Sequence, residues 1–330
     1  MYKKVSIENF KGIKSINFED LKQFNLILGK NNSLKTTILD AFYILSTPTN
    51  TEAILQTNGY KGLTLIFPDL FRGFFHNLDM SKNIKFVAEL DEYNENRELE
   101  IKIELTNSMD INNKTIVNPL SSTKLIAKFT MKKGENLPLQ IISTIGMVNF
   151  KLDAKSSSNF EGLVNNIYLN PNNLTNKIIE RFDRVNFIKQ TDTLIKYLRQ
   201  IEPKLVSITI GNGNIIYADI GIETLMPINL LGSSFTIILS VMISIMSIPK
   251  GILLIDNIEN GLSYSSMELL WSIIFKVAKD FNVQIVATSN SSESLKAFHT
   301  IATRMGKIIS DIKALKIDRK DDIIKVTNAI

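Results

Sequence analysis

The densest chemistry in the chain lies in the segment Gly29-Lys30-Asn31-Asn32-Ser33-Leu34-Lys35-Thr36. A glycine, a short polar run, a lysine and a hydroxyl in this order suit a loop that holds phosphates. Backbone N–H groups of Gly29, Asn31, Asn32 and Ser33, and those opening the next helix at Lys35, Thr36 and Thr37, can cradle phosphate oxygens. The Lys35 ammonium reaches the terminal phosphates, and the Thr36 hydroxyl holds magnesium. One position departs. A loop of this kind carries glycine just before its lysine, so that main chain approaches the β-phosphate with no side chain in the way. Here that residue is Leu34, which adds a branched aliphatic group and strains the backbone if a positive φ is needed there. The expectation is that nucleotide affinity is greatly weakened or lost. An ordinary turn capped by Asn32 or Ser33 at a helix start is the plainer alternative.

Phosphoryl chemistry also needs one acid for the metal and another to activate water. Gly251–Asp256 is a continuous apolar run ending in an acid, so Asp256 is the expected metal ligand; a strand-end cap is its bland alternative. The next residue is Asn257, whose amide cannot act as a general base. Glu259 is a possible substitute, although in an extended segment alternation places it on the side of Asn257, about a pleat farther on. After the run Val283–Thr288 comes a polar turn with Asn290 where a γ-phosphate would be met, again without a titratable proton.

The elements that must position these groups follow from periodicity. Strands are expected at Lys3–Phe10, Ile13–Phe18 and Phe24–Leu28. A helix follows over Lys35–Leu45, with Ile38, Leu39, Phe42 and Leu45 on one face, then a loop or short helix over Thr47–Asn58. Ile84–Leu90, Glu98–Leu105, Lys124–Met131 and Leu139–Ser143 alternate as an antiparallel region, with a turn at Asn112-Asn113-Lys114. A Ser-rich stretch, Lys155–Asn159, reads as a junction, dividing the chain into lobes 1–155 and 156–330 of one composite head. Residues 172–200 read as two helices, and Leu205–Ile210 with Ile215–Ile220 as a hairpin. Ser234–Ser247 is a helix apolar nearly all round, hence buried. Gly251–Asp256 and Val283–Thr288 are strands covered on both faces, alternating with helices Tyr264–Lys279 and Ser292–Ala302. Lys307–Ile309, Lys313–Ile317 and Ile323–Val326 complete the set as short strands. Met267, Trp271 and Phe275 lie at helical spacing and read as core.

The 330 residues suffice for a large core, and 44% apolar with 22% charged residues is ordinary for a globular protein. The absence of cysteine excludes disulfides, thiolate zinc sites and cysteine nucleophiles, and two histidines, His76 and His299, are too few for most metal sites. A net charge of +5 permits nucleic-acid contact without arguing for it. The stretch Lys177–Lys196 reads as a solvated face. The opening residues lack the apolar stretch of a signal peptide, and Phe235–Ile248 is too short to span a bilayer, so a cytoplasmic location is expected.

Together the segments resemble the ABC-type AAA ATPases of the OLD-like and recombination-repair group. Ile7-Glu8-Asn9-Phe10-Lys11-Gly12-Ile13 is similar to that family's first strand pair. Asp256-Asn257-Ile258-Glu259-Asn260-Gly261-Leu262-Ser263 resembles its extended acidic segment. Met226–Phe235, with Gly232, Ser233 and Ser234, resembles its signature. The resemblance implies an α/β fold: a P-loop NTPase head of ABC type, a mixed β-sheet core flanked by helices, with an antiparallel β subdomain. It implies ATP and Mg²⁺ as cofactors, if nucleotide is bound at all. It also implies pairing of heads as a homo- or heterodimer through the ATPase face, with an intact paralogue as a candidate partner and a separate nuclease as a further one.

Against that pattern Leu34, Asn257, Ser263 and Asn290 replace a glycine, a glutamate and two histidines, and Ser233-Ser234 with Thr236-Ile237 alter the signature. The expectation is therefore a pseudo-ATPase serving as a structural or regulatory subunit of a DNA-associated or defence complex. The alternatives are an active ATPase in anti-phage defence or repair, and a nucleotide-independent nucleic-acid-binding protein.

Overall fold

The computed structural model describes residues 1–59, 69–91, 94–105, 123–148, 151–157, 160 and 162–330. The expected turn at Asn112-Asn113-Lys114 lies outside them. The chain forms two compact units, interleaved along the sequence. The first comprises Met1–Lys22, Gly29–Val164 and Lys316–Asn328; the second comprises Gln23–Leu28, Asn165–Leu315 and Ala329–Ile330.

In the first unit, strands β1 (Tyr2–Phe10) and β2 (Ile13–Phe18) are followed, beyond the excursion into β3 (Phe24–Gly29), by helices α1 (Lys35–Ser46), α2 (Thr51–Gly59) and α3 (Asp69–Arg72). Strands β4 (Ile84–Leu90), β5 (Glu95–Leu105), β6 (Thr123–Lys133), β7 (Leu139–Val148) and β8 (Lys151–Ser156) come next. They form a sheet in the order β2-β1-β4-β5-β6-β7-β8, in which every pairing is antiparallel. Period-two alternation aligns one apolar row across six strands: Ile16, Ile7, Phe86, Leu99, Phe129 and Ile141 are successive register partners and all buried. Phe42 of α1 meets Tyr2 edge-on, with centroids 5.8 Å apart. Burial raises the Tyr2 hydroxyl above the ordinary tyrosine range. The Ser-rich stretch read as a junction is partly strand, since β8 runs to Ser156.

The second unit is a parallel sheet wrapped by helices. After β9 (Asn166–Leu169) come α4 (Ile178–Phe187), α5 (Thr191–Leu198), β10 (Ser207–Gly211), β11 (Ile215–Asp219), β12 (Met226–Pro227) and α6 (Ser233–Ser247). Then follow β13 (Ile252–Ile255), α7 (Tyr264–Asp280), β14 (Gln284–Ser289), α8 (Ser292–Met305) and the start of β15 (Ile312–Lys320); from Lys316 onward β15, and with it β16 (Ile323–Asn328), belongs to the first unit. Strands β3, β14, β13 and β9 are neighbours in that order and pair in parallel. Strands β13 and β14 are buried at every residue, as uninterrupted apolar runs require. The helix α6 is buried from Ile238 to Ser247. Trp271 and Phe275 of α7, Phe298 of α8 and Phe24 of β3 form an aromatic cluster with centroids 4.7–5.6 Å apart, so the helical stripe at Met267, Trp271 and Phe275 is core. The hairpin β10–β11 carries a third strand, β12, not anticipated from its two residues. The expected strand at Lys307–Ile309 is a turn instead. Gly306 takes φ 62° after α8, and Ile309–Asp311 is a 3₁₀ turn leading into one continuous β15.

Candidate functional site

The phosphate loop belongs to the first unit. Gly29 is required sterically: a Cβ there would lie 2.3 Å from Ser33 Oγ and 2.9 Å from Ile317 O. The loop closes through Ser33 N–H, which donates to Lys30 O at 3.2 Å. Lys35, at the first turn of α1 and only 6% exposed, folds back into the loop. Its Nζ donates to Gly29 O at 2.7 Å and Lys30 O at 2.9 Å, and lies 3.5 Å from Ser33 Oγ. The ammonium is thus held by the loop's own carbonyls. No side chain caps α1 and its first turn holds no acid, so its positive dipole end is not offset locally. Asn31 and Asn32 are exposed, Thr36 is half-buried and Thr37 buried.

Leu34 adopts the left-handed conformation, φ 69° and ψ 15°, at a cost of roughly 1–2 kcal/mol for a residue with a Cβ. Its isobutyl group ends on Gly12: a Cβ at Gly12 would fall 2.6 Å from Leu34 Cδ2. Gly12 sits in the β1–β2 turn beside Lys11. The Lys11 ammonium is held by Asp40 Oδ2 of α1 at 2.8 Å and Thr57 Oγ1 at 3.0 Å, between the rings of Phe10 and Phe74. This ion pair is buried, with side-chain exposures of 9% and 1%. His76, packed rather than solvated, donates from Nδ1 to Lys11 O at 3.2 Å.

The acids belong to the second unit. Register places Leu169 beside Ile255, and Asp256 N–H donates to Leu169 O at 2.8 Å. In open parallel sheets ligands bind at such carboxyl ends. Asp256, 6% exposed, accepts from Thr288 Oγ1 at 2.6 Å, and the same hydroxyl accepts from Asn257 N–H at 3.0 Å. Thr288 therefore fixes both residues. Asn257 is left-handed, φ 51°, a conformation that asparagine tolerates better than most. The segment then turns, with Asn260 N–H donating to Asn257 O and Leu262 N–H to Glu259 O. Alternation along an extended strand, assumed for Glu259, does not apply. Glu259 Oε1 instead accepts from Asn290 N–H at 2.9 Å, while its Oε2 is buried with no hydrogen-bond partner among the described residues. Ser263 and Ser291 cap α7 and α8. Among the described residues no three His, Cys, Asp or Glu side chains cluster as a metal site; the Asp256 carboxylate by itself offers oxygen donors of the kind that hard Mg²⁺ takes.

Gly232 has φ 99° and leads into exposed Ser233 at the amino end of α6, which no side chain caps. Sequence reasoning missed the turn after β9. Asn170 is buried and accepts at Oδ1 from Asn172 and Asn173 N–H at 2.9 and 3.0 Å, while Asn173 Oδ1 accepts from Asn170 N–H. This turn, α6 and the turn after Asp256 enclose a cavity of about 240 Å³ lined by Leu174, Ile237, Val241 and Asp256 among others. The signal was present in Ile167-Tyr168-Leu169 followed by Asn-Pro-Asn-Asn, a four-residue strand ending in an Asx turn. The remaining candidates are peripheral. His299 is exposed, and the helices spanning Lys177–Lys196 mix exposed Lys and Arg with Glu180, Asp183 and Asp192.

Comparison with known proteins shows the family and the fold. Residues 24–295 match the family described as "AAA domain, putative AbiEii toxin, Type IV TA system". An ATP/GTP phosphatase of Helicobacter pylori is 24% identical over 326 residues, covering 90% of this chain and 87% of that protein. An uncharacterized protein of Methanocaldococcus jannaschii is 29% identical over 120 residues, 36% of this chain and 47% of that protein. Among solved structures, the SMC head domain from Thermotoga maritima superposes with a TM-score of 0.53 at 10% identity, covering 100% of this chain and 99% of that one. An SMC head bound to the C-terminal winged-helix domain of ScpA gives 0.52 at 13% identity, covering 99% and 97%. The fold is thus that of SMC- and ABC-type ATPase heads. No helix among the described residues is long and apolar enough to cross a membrane.

Proposed function

From the premise that this chain belongs to that AAA-domain family of P-loop ATPases, we propose that it is a nucleotide-binding head that turns ATP over slowly or not at all and acts as a regulatory or structural subunit. The observation that carries this reading is the turn after Asp256. The residue in line to activate water is Asn257, its N–H tied to Thr288, and the following carboxylate, Glu259, is engaged by Asn290 N–H. An amide cannot take the proton, and loss of a general base typically costs on the order of 10²–10⁴ in rate. In the first unit, Lys35 within its loop and the uncapped start of α1 are the groups that would hold nucleotide phosphates; in the second, the buried Asp256 carboxylate is one that suits Mg²⁺. The exposed start of α6 at Ser233 and Ser234 offers N–H and hydroxyl donors to the γ-phosphate on a partner head. That partner is a second copy or an intact relative of the same family. The neighbouring fold that binds a winged-helix domain is consistent with a head working through a protein partner.

The test is a Mg²⁺–ATP titration beside a phosphate-release assay on the full chain. Binding that Lys35→Ala abolishes, with release no faster than in Lys35→Ala, is expected. Release that disappears in Lys35→Ala would establish the second reading, a slow working ATPase. That reading is favoured by the unpartnered Glu259 Oε2 and by the phosphatase named among the relatives.

A further inference from the structure

We infer that Gly12 and Leu34 are a matched pair that keeps the phosphate loop in its binding form without the usual glycine, so that Leu34 positions the loop for a nucleoside triphosphate instead of blocking it. This rests on the nucleotide-binding reading above. Three observations carry it. First, Leu34 holds the left-handed backbone that glycine would otherwise supply, φ 69°, and its carbonyl still accepts the α1 bond from Ile38 N–H at 2.9 Å. Second, the isobutyl group is seated on the β1–β2 turn, where Gly12 provides the space. Any side chain at position 12 would begin 2.6 Å from Leu34 Cδ2, closer than carbon atoms pack. The bulk added at one position is accommodated by its absence at the other.

Third, the turn that carries Gly12 is fastened to the helix that the loop opens. Lys11, next to Gly12, is bound to Asp40 of α1 and to Thr57. Its backbone N–H donates to Phe74 O at 2.8 Å and its carbonyl accepts from His76. A floor held at both ends gives the leucine a fixed surface to rest on. Lys35 meanwhile remains among the loop carbonyls, bonds it can exchange for phosphate oxygens. Lys11 and Gly12 are then positioning residues that act through Leu34.

A double-mutant cycle on the full chain tests the pair. Thermal unfolding without nucleotide should show Gly12→Ala lowering Tm by about 2–4 °C or more. In the Leu34→Gly background the same change should shift Tm by no more than about 1 °C, because the three atoms nearest the new methyl all belong to the Leu34 side chain. If Gly12→Ala alone fails to fold, recovery of folding with Leu34→Gly or Leu34→Ala is the same coupling in a stronger form. Additive effects overturn the pair. Mg²⁺–ATP titration of the wild type and Leu34→Gly then separates positioning from obstruction. Affinities within about threefold are expected, and a gain of tenfold or more, roughly 1.4 kcal/mol, would identify the leucine as a block and overturn the inference. Coupling lost while binding persists overturns the pair alone; absence of binding in both forms overturns the nucleotide reading and this inference with it.

Discussion

The phosphate loop and the acid-bearing strand ends each carry a residue where the sequence pattern leads one to expect another type, and the two regions hold them differently. In the loop the foreign residue is a matter of volume and backbone conformation. Leu34 keeps the left-handed turn and finds room over Gly12. At the strand ends the foreign residues are a matter of proton affinity. The Asn257 backbone is fixed through Thr288, yet its side-chain amide has no basic site. Packing can accommodate a change of shape through a neighbour, whereas no neighbour supplies a missing lone pair of the right basicity unless it is itself an acid in reach. In the function proposed above, binding and hydrolysis are therefore separate, with retention of the first assigned to the loop and loss of the second to the strand ends.

The largest effect should come from the clamp beneath the loop. Lys11→Met leaves the Asp40 carboxylate buried without its cation, and a loss of about 3–5 kcal/mol is expected by urea denaturation, most of it recovered when Asp40→Leu is added. A loss below about 1 kcal/mol would mean that the β1–β2 turn does not depend on this pair, and the contrast between an accommodating loop and a rigid acid site would fail on the loop side. Next in size is Asn257→Glu, expected to raise phosphate release by about 10², the lower end of general-base effects. A flat response would place the deficit in the loop instead.

Thr288→Val removes both the donor to Asp256 and the acceptor for Asn257 N–H. A destabilisation of about 1–3 kcal/mol, read by thermal unfolding, would show how much of the strand-end geometry hangs on one hydroxyl. The smallest effect is expected for Glu259→Gln, whose amide oxygen still accepts from Asn290 N–H: less than about 1 kcal/mol in stability and no change in phosphate release. A tenfold or larger drop in release would make Glu259 the working base and reverse the reading of the second region.

Much of this was legible along the chain because it is local. Uninterrupted apolar runs marked β3, β13 and β14, and the all-round apolar helix α6 was evident for the same reason. The order of glycine, lysine and hydroxyl marked the loop. What escaped was short or depended on turns. β9 has four residues, too few for periodicity to register, and with it went the Asn170 turn at the edge of the acid site. Ile308, buried beside the turn after Gly306, supplied the apolar signal that made Lys307–Ile309 resemble a strand. Glu259 was misplaced because a left-handed Asn257 bends the segment out of the extended form that alternation presupposes.

The residue types alone determined which reactions this chain is equipped for: the presence of Lys35, Thr36 and Asp256, and the lack of a carboxylate directly after Asp256, are facts of covalent chemistry that folding does not alter. Tertiary structure decided what those facts amount to. Whether a leucine obstructs a loop depends on where its side chain is seated, and that seat is made by Gly12, distant in sequence and brought close only when β1, β2 and α1 pack together. Proton affinity travels with the side chain, while the room available to it belongs to its neighbours.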